Sequence, residues 1–180
     1  HFQRTGQLAP ATEPHQLAWL REWRDEASDD PDVVYLDEAA VQASIASPTY
    51  LAAIWEKRTC AIVHPARLAA ELARVCEERG VEIFERSVVK SLDTTEGTGV
   101  SVVTEGGRVD AAHAVLATNV FPSLLRRNRL MTVPVYDYAL MTEPLTDEQL
   151  ASIGWADRQG IGDMANQFHY YRMSKDNRIL

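Results

Sequence analysis

Glycine is too sparse and too badly placed in this chain to build a phosphate cradle. The 180 residues contain nine glycines, and neither a Gly-x-Gly-x-x-Gly run nor a P-loop can be traced among them. The closest pairs, Gly97/Gly99 and Gly106/Gly107, fall where hairpin turns are expected, not at the mouth of a helix. Cysteine is scarcer still. Cys60 and Cys76 alone exclude a disulfide framework. Cys76 falls on the apolar side of an expected helix and Cys60 in an apolar patch, so both read as small core residues. The five histidines stand at no metal-ligand spacing, which leaves no metal site. Basic residues are outnumbered, 18 against 26 acidic, for a net charge of −8. That balance excludes a general phosphate-backbone binder, so no nucleic acid is expected as a partner. The basic cluster Arg126-Arg127-Asn128-Arg129 reads as a solvated link. Apolar runs such as Ala114-Val115-Leu116-Ala117 are far too short to cross a bilayer, and no membrane partner is expected. His1-Phe2-Gln3-Arg4 does not read as a secretory segment, and the expectation is a cytoplasmic protein. Nucleophile-elbow and zinc-protease patterns are also missing, so the residues by themselves identify no catalytic group.

Hydrophobic residues make up 46% of the chain, enough for one sizeable core or parts of two lobes. Thr12 is placed to cap a helix in which Leu17, Leu20, Trp23 and Ala27 recur at helical spacing. Val33 to Leu36 reads as a strand, and Asp37 caps a short helix to about Ser44. Ser47 to Trp55 reads as irregular, with Pro48 as a breaker. His64-Pro65 opens a helix whose apolar side carries Leu68, Leu72, Val75 and Cys76, and Gly80 stops it. Val81 to Phe84 and Ser87 to Leu92 are expected strands, followed by a turn over 94–99. Val100 to Thr104 and Val109 onward form a hairpin about Glu105-Gly106-Gly107-Arg108. Ala114 to Ala117 reads as a strand buried on both faces. Thr132 to Met141 reads as a long strand, and Asp147 to Ile153 as a short helix. Phe168 to Met173 and Arg178 to Leu180 read as strands joined by the turn Ser174-Lys175-Asp176-Asn177. Physics alone supports an α/β protein, α+β in part.

Several runs in order carry a resemblance. His64-Pro65-Ala66-Arg67-Leu68-Ala69 is followed by Arg79-Gly80-Val81-Glu82-Ile83-Phe84-Glu85, then by Ser87-Val88-Val89, and later by Leu116-Ala117-Thr118-Asn119. Together they resemble the second part of the FAD domain of the D-amino-acid oxidase superfamily, the group that includes glycine oxidase, sarcosine oxidase and the gamma-glutamylputrescine oxidoreductases. The flanks resemble the substrate domain of the glycine and putrescine branch. They are the run from Arg4 to Glu13, Leu140-Met141-Thr142-Glu143-Pro144-Leu145, and the hairpin from Tyr170-Tyr171-Arg172 to Leu180.

The resemblance implies the middle of a Rossmann-like FAD-binding domain over residues 60–127, with substrate-domain segments of an antiparallel sheet over 1–59 and 128–180. It implies oxidation of the C–N bond of an amine or amino acid by hydride transfer to FAD. Val89 would read the adenine edge through its backbone, and Ala117, Thr118 and Asn119 would lie against the cofactor where a strand ends. Tyr170, Tyr171 and Arg172 are the substrate-side candidates, with Tyr170 and Arg172 on one face of the strand and Tyr171 on the other. For each, packing or an ordinary turn is the competing reading; for Trp55 and His64 it is the stronger one. Asp163 and His169 are minor candidates. Two other functions stay open: a non-catalytic ligand- or partner-binding domain on the same scaffold, and a FAD-dependent hydroxy-acid dehydrogenase. The glycine loop that the family uses for pyrophosphate is absent from this sequence, so the chain is expected to be an internal piece that binds FAD weakly or not at all. Such a piece is expected to pair with itself, rearrange or be unstable.

Overall fold

The computed structural model describes residues 2–95 and 99–180. The chain divides into two compact units, His1–Glu71 with Ala139–Leu180, and Leu72–Tyr138.

The first unit begins with β1 (Phe2–Gln3), β2 (Gln7–Ala11), α1 (Gln16–Glu26), β3 (Val33–Leu36), α2 (Glu38–Ser44), β4 (Ala52–Glu56) and β5 (Ile62–Val63). Asp37 caps α2, its carboxylate accepting the Ala40 N–H at 2.9 Å. Thr12 does not cap α1. The helix starts later, and the Gln16 side chain folds back to accept the N–H groups of Thr12 and Glu13. That use of its amide oxygen accounts for a buried Gln16.

The segment expected to be irregular contains β4, one of the best-buried strands of the molecule. It lies between β2 and β3, antiparallel to both, with Ile54 opposite Ala9 on one side and Tyr35 on the other. Its side chains alternate between two cores. Ala53 and Trp55 join Leu8, Val41, Tyr50 and Trp155, while Ala52 and Ile54 join Ala11 and Leu20. A strand covered on both faces has no polar side, so Ala-Ala-Ile-Trp offers no period-2 signal.

The helix α3 (Pro65–Glu78) follows, and the division between units falls within it. Gly80 ends it with φ +85°. The apolar side expected to be core is open: no residue of α3 is buried, and Leu68 and Leu72 are 46% and 57% exposed. Cys76 and Cys60 are free and only half-buried, not core residues; the Cys60 thiol donates to Gln7 Oε1.

The second unit is built on a meander, β6 (Val89–Thr95), β7 (Gly99–Thr104) and β8 (Arg108–Ala111). The hairpin over 104–108 forms as expected, with the Thr104 hydroxyl accepting the N–H groups of Gly106 and Gly107. Residues 96–98 of the expected turn lie outside the described residues. Three expected strands are not formed. Val81 to Phe84 and Ala114 to Ala117 join no ladder, and Val115, expected to be buried on both faces, is 90% exposed. Val133, Val135, Tyr136 and Tyr138 in the third expected strand are also exposed and unpaired in any sheet. A strand is completed by its neighbours, and no described strand lies beside these three. Among its described residues this unit has none that is buried.

The chain returns to the first unit with α4 (Asp147–Ile153), β9 (Gly160–Gly162) and β10 (Tyr170–Tyr171). Thr146 and Gln149 close a capping box on α4. β9 pairs parallel to β2 and antiparallel to β10, giving the sheet order β10-β9-β2-β4-β3.

Candidate functional site

Strand β10 presents two different faces. The Phe168 and Tyr170 rings lie together with centroids 5.7 Å apart, and both side chains are exposed. Arg172 continues that face by alternation, and its Nη1 donates to the Val63 carbonyl. Tyr171 points the other way. Its hydroxyl is hydrogen-bonded to that of buried Tyr50, and its ring meets Trp155 edge-on at 5.9 Å. Burial raises the pKa of both phenols, carrying Tyr50 above the ordinary tyrosine range and shifting Tyr171 in the same direction. Both hydroxyls therefore stay protonated at neutral pH, able to donate as well as accept.

After β10 the strand is held from its C-terminal side. Arg172 and Leu180 exchange backbone hydrogen bonds of 3.0 Å, and Met173 faces Ile179. The expected turn Ser174–Asn177 closes the hairpin with Asn177 at φ +60°, a conformation asparagine tolerates. The Arg158 guanidinium donates to Ser174 O and to Asn177 Oδ1 and ties the turn down.

Before β10 it is held by Asp163. Oδ1 accepts the backbone N–H of Ala165 and of His169, each at 3.1 Å, and Oδ2 meets His169 Nδ1 at 2.7 Å. The Asp163 side chain is only 9% exposed, whereas that of His169 is 76% exposed. Burial alone would raise this carboxyl. The His169 imidazole and the two backbone N–H groups outweigh it and hold Asp163 below the usual carboxylate range. A lowered folded-state value means stability that is complete above the unfolded value and lost as pH falls through the folded one. Asp163→Ala is therefore expected to destabilise the protein at neutral pH, with the difference from wild type shrinking below about pH 4. Urea unfolding at a series of pH values measures this; a difference that persists undiminished at low pH would exclude it.

The second unit holds a separate cleft of about 350 Å³. Thr118 and Asn119 line it with Phe121, Ser123 and Arg129, and Asn119 has φ +50°. The Arg129 Nε donates to the Ser123 carbonyl, which fixes the guanidinium stem at the rim. Ala117 adjoins this cleft in sequence. Val89 opens β6 opposite Thr104, where the ladder shifts register between Val89 and Ser91. Such bulges re-aim backbone groups. Of the remaining candidates, Trp55 packs against the first core, its Nε1 donating to Thr5 O. His64 sits at the start of α3, its Nδ1 accepting the Arg67 N–H. Among the described residues no group of three metal-ligating side chains occurs, and no helix is long and apolar enough to cross a membrane.

Two roles are not marked in the sequence. Tyr50 carries no signal in a stretch that reads as irregular. Asp163 has only its position, at the start of a polar loop that leads to His169-Tyr170-Tyr171.

The fold is a mixed α/β arrangement that matches part of the FAD-binding and substrate domains of known flavoproteins. Residues 1–180 match the family described as FAD dependent oxidoreductase, and the chain belongs to that family. It is 30% identical over 151 residues to the probable oxidoreductase OrdL of Haemophilus influenzae, covering 80% of this chain and 34% of that protein. An L-proline dehydrogenase from P. horikoshii superposes with a TM-score of 0.73 at 16% identity, over 99% of this chain and 48% of the other. A glycine oxidase from Geobacillus kaustophilus superposes with a TM-score of 0.72 at 16% identity, over 99% of this chain and 46% of the other. The chain thus spans about a third of the curated relative and under half of these structures.

Proposed function

We propose that this chain is the part of a FAD-dependent oxidoreductase that carries a substrate face and one portion of the cofactor site, and that the protein oxidises the C–N bond of an amine or amino acid. Family membership supports the flavin. The observation that carries the substrate reading is the face of β10 where the Phe168 and Tyr170 rings lie together, which alternation extends to Arg172, on a strand whose other face is held by the Tyr171–Tyr50 hydrogen bond. FAD when bound supplies the hydride acceptor. The chain's own residues bind and orient. With Nη1 committed to Val63, the Arg172 guanidinium offers its other N–H groups to a carboxylate. Tyr170 offers an apolar wall with a polar tip. Residues 60–127 are the proposed cofactor segment, and 1–59 with 128–180 the proposed substrate-domain segments.

The residues present fit the cofactor in part. The cleft lined by Thr118, Asn119 and Arg129 is large enough for a portion of a dinucleotide, and Val89, the residue proposed for the adenine edge, stands where the β6–β7 ladder shifts register. Val89, Ala117, Thr118 and Asn119 are the residues proposed to hold it. No glycine-rich helix opening for the pyrophosphate occurs in this sequence. The 180-residue chain is accordingly expected to stay nearly colourless with added FAD, and the protein from the whole reading frame to show flavin absorption that bleaches anaerobically with an amine or amino acid. Absence of flavin bands from the whole protein with FAD added would remove this reading.

A further inference from the structure

We propose that Asp163 is a positioning residue for the Tyr170–Arg172 face; this deepens the substrate reading above and rests on it. Strand β10 has a ladder of only two residue pairs, Tyr170 with Gly162 and Tyr171 with Ile161. So short a ladder fixes few residues by itself, and the placement of the strand rests on what holds its two ends. The connection from β9 runs from Asp163 to His169 and is closed by one carboxylate. Oδ1 gathers two backbone N–H groups, Oδ2 takes the imidazole, and the Asp163 N–H donates to the His169 carbonyl at 3.0 Å.

The fastening acts on the side of the strand that faces away from Tyr170 and Arg172. His169 and Tyr171 share that side, the first held by Asp163 and the second by Tyr50. One side of the strand is anchored, and the other presents. Shifting the anchor by one residue would turn Tyr170 and Arg172 inward, because side chains alternate with period 2. Asp163 thereby decides which groups a substrate meets without touching it.

The geometry also dictates a proton position. A carboxylate only accepts, so His169 Nδ1 carries the hydrogen and Nε2 lies on the exposed side. Asparagine at 163 would keep an oxygen for the two backbone N–H groups but turn an N–H toward the ring. Neutral His169 would then adopt the Nε2–H form.

The experiment has two arms. In the 180-residue chain, nitrogen NMR of His169 is expected to show the Nδ1–H form, changing to Nε2–H in Asp163→Asn. In the same chain, Asp163→Ala is expected to accelerate amide exchange at Tyr171 and Arg172. Finding Nε2–H in the wild type, or unchanged exchange in Asp163→Ala, overturns the proposal. In the flavin-loaded whole protein, Asp163→Ala is expected to raise KM for the amino acid about tenfold with kcat within about twofold, and Asp163→Asn to recover most of it. A loss confined to kcat, or no recovery, overturns the positioning role. If the wild type oxidises no amine or amino acid, the substrate reading fails, and the first arm still decides the fastening.

Discussion

Gly6→Ala is expected to cost the first unit a large part of its stability. Gly6 stands between β1 and β2 with φ +71°, and a Cβ there would lie 2.1 Å from the Glu56 carbonyl oxygen and 2.8 Å from Lys57 Cα. Both obstacles are backbone atoms at the end of β4, so no side chain can swing aside. The left-handed conformation costs an L-residue about 1–2 kcal/mol, and forcing two strands apart adds a similar or larger amount. A loss of at least about 3 kcal/mol is a large fraction of a domain's stability of roughly 5–15 kcal/mol. Gly80→Ala is the control. Its φ is +85°, but nothing lies within 4 Å of the added methyl. It should cost only the conformational penalty of about 1–2 kcal/mol. Urea unfolding followed by circular dichroism separates the two, and equal losses would show that contact with β4 does not matter.

Ile54→Ala is expected to cost about 2–5 kcal/mol, the range for removing a fully enclosed aliphatic side chain. Ile54 is fully buried in β4 and packs with Ala11, Leu20 and Ala52, close to Trp23 and Tyr35. The informative partner is Val115→Ala. The sequence places Val115 in a strand buried on both faces, whereas the structure leaves it 90% exposed. Its truncation should change stability by less than about 0.5 kcal/mol. A large loss at Val115 in the isolated chain would mean that the valine is covered in solution, as self-association would cover it. A small loss at Ile54 would contradict the burial of β4.

Half of the candidate site is legible in the amino-acid sequence. Alternation along Phe168-His169-Tyr170-Tyr171-Arg172 places Tyr170 and Arg172 on one face, where the structure leaves Phe168 and Tyr170 exposed and Arg172 half-buried. The reason Tyr171 cannot share it is not legible, because its partner Tyr50 is 121 residues away. Asp163 is a minor candidate by sequence, with no task that spacing assigns. Its hydrogen bonds depend on how the loop closes, which no spacing rule specifies.

What the sequence alone determined were the features whose causes are local. Pro65 and Gly80 bound α3, Asp37 caps α2, and the Ser174–Asn177 turn closes its hairpin. Each depends on atoms within a few residues of one another. The family resemblance was legible for the same reason, since it lies in short ordered runs. Tertiary structure decided the strands that the local pattern misread. Ala52–Glu56 becomes a strand because β2 and β3 supply hydrogen bonds on both sides and two cores cover its faces. Val81 to Phe84 and Ala114 to Ala117 have the composition of strands but no described neighbour, and they remain unpaired. A helix closes its hydrogen bonds within its own segment, but a strand needs another segment to complete it.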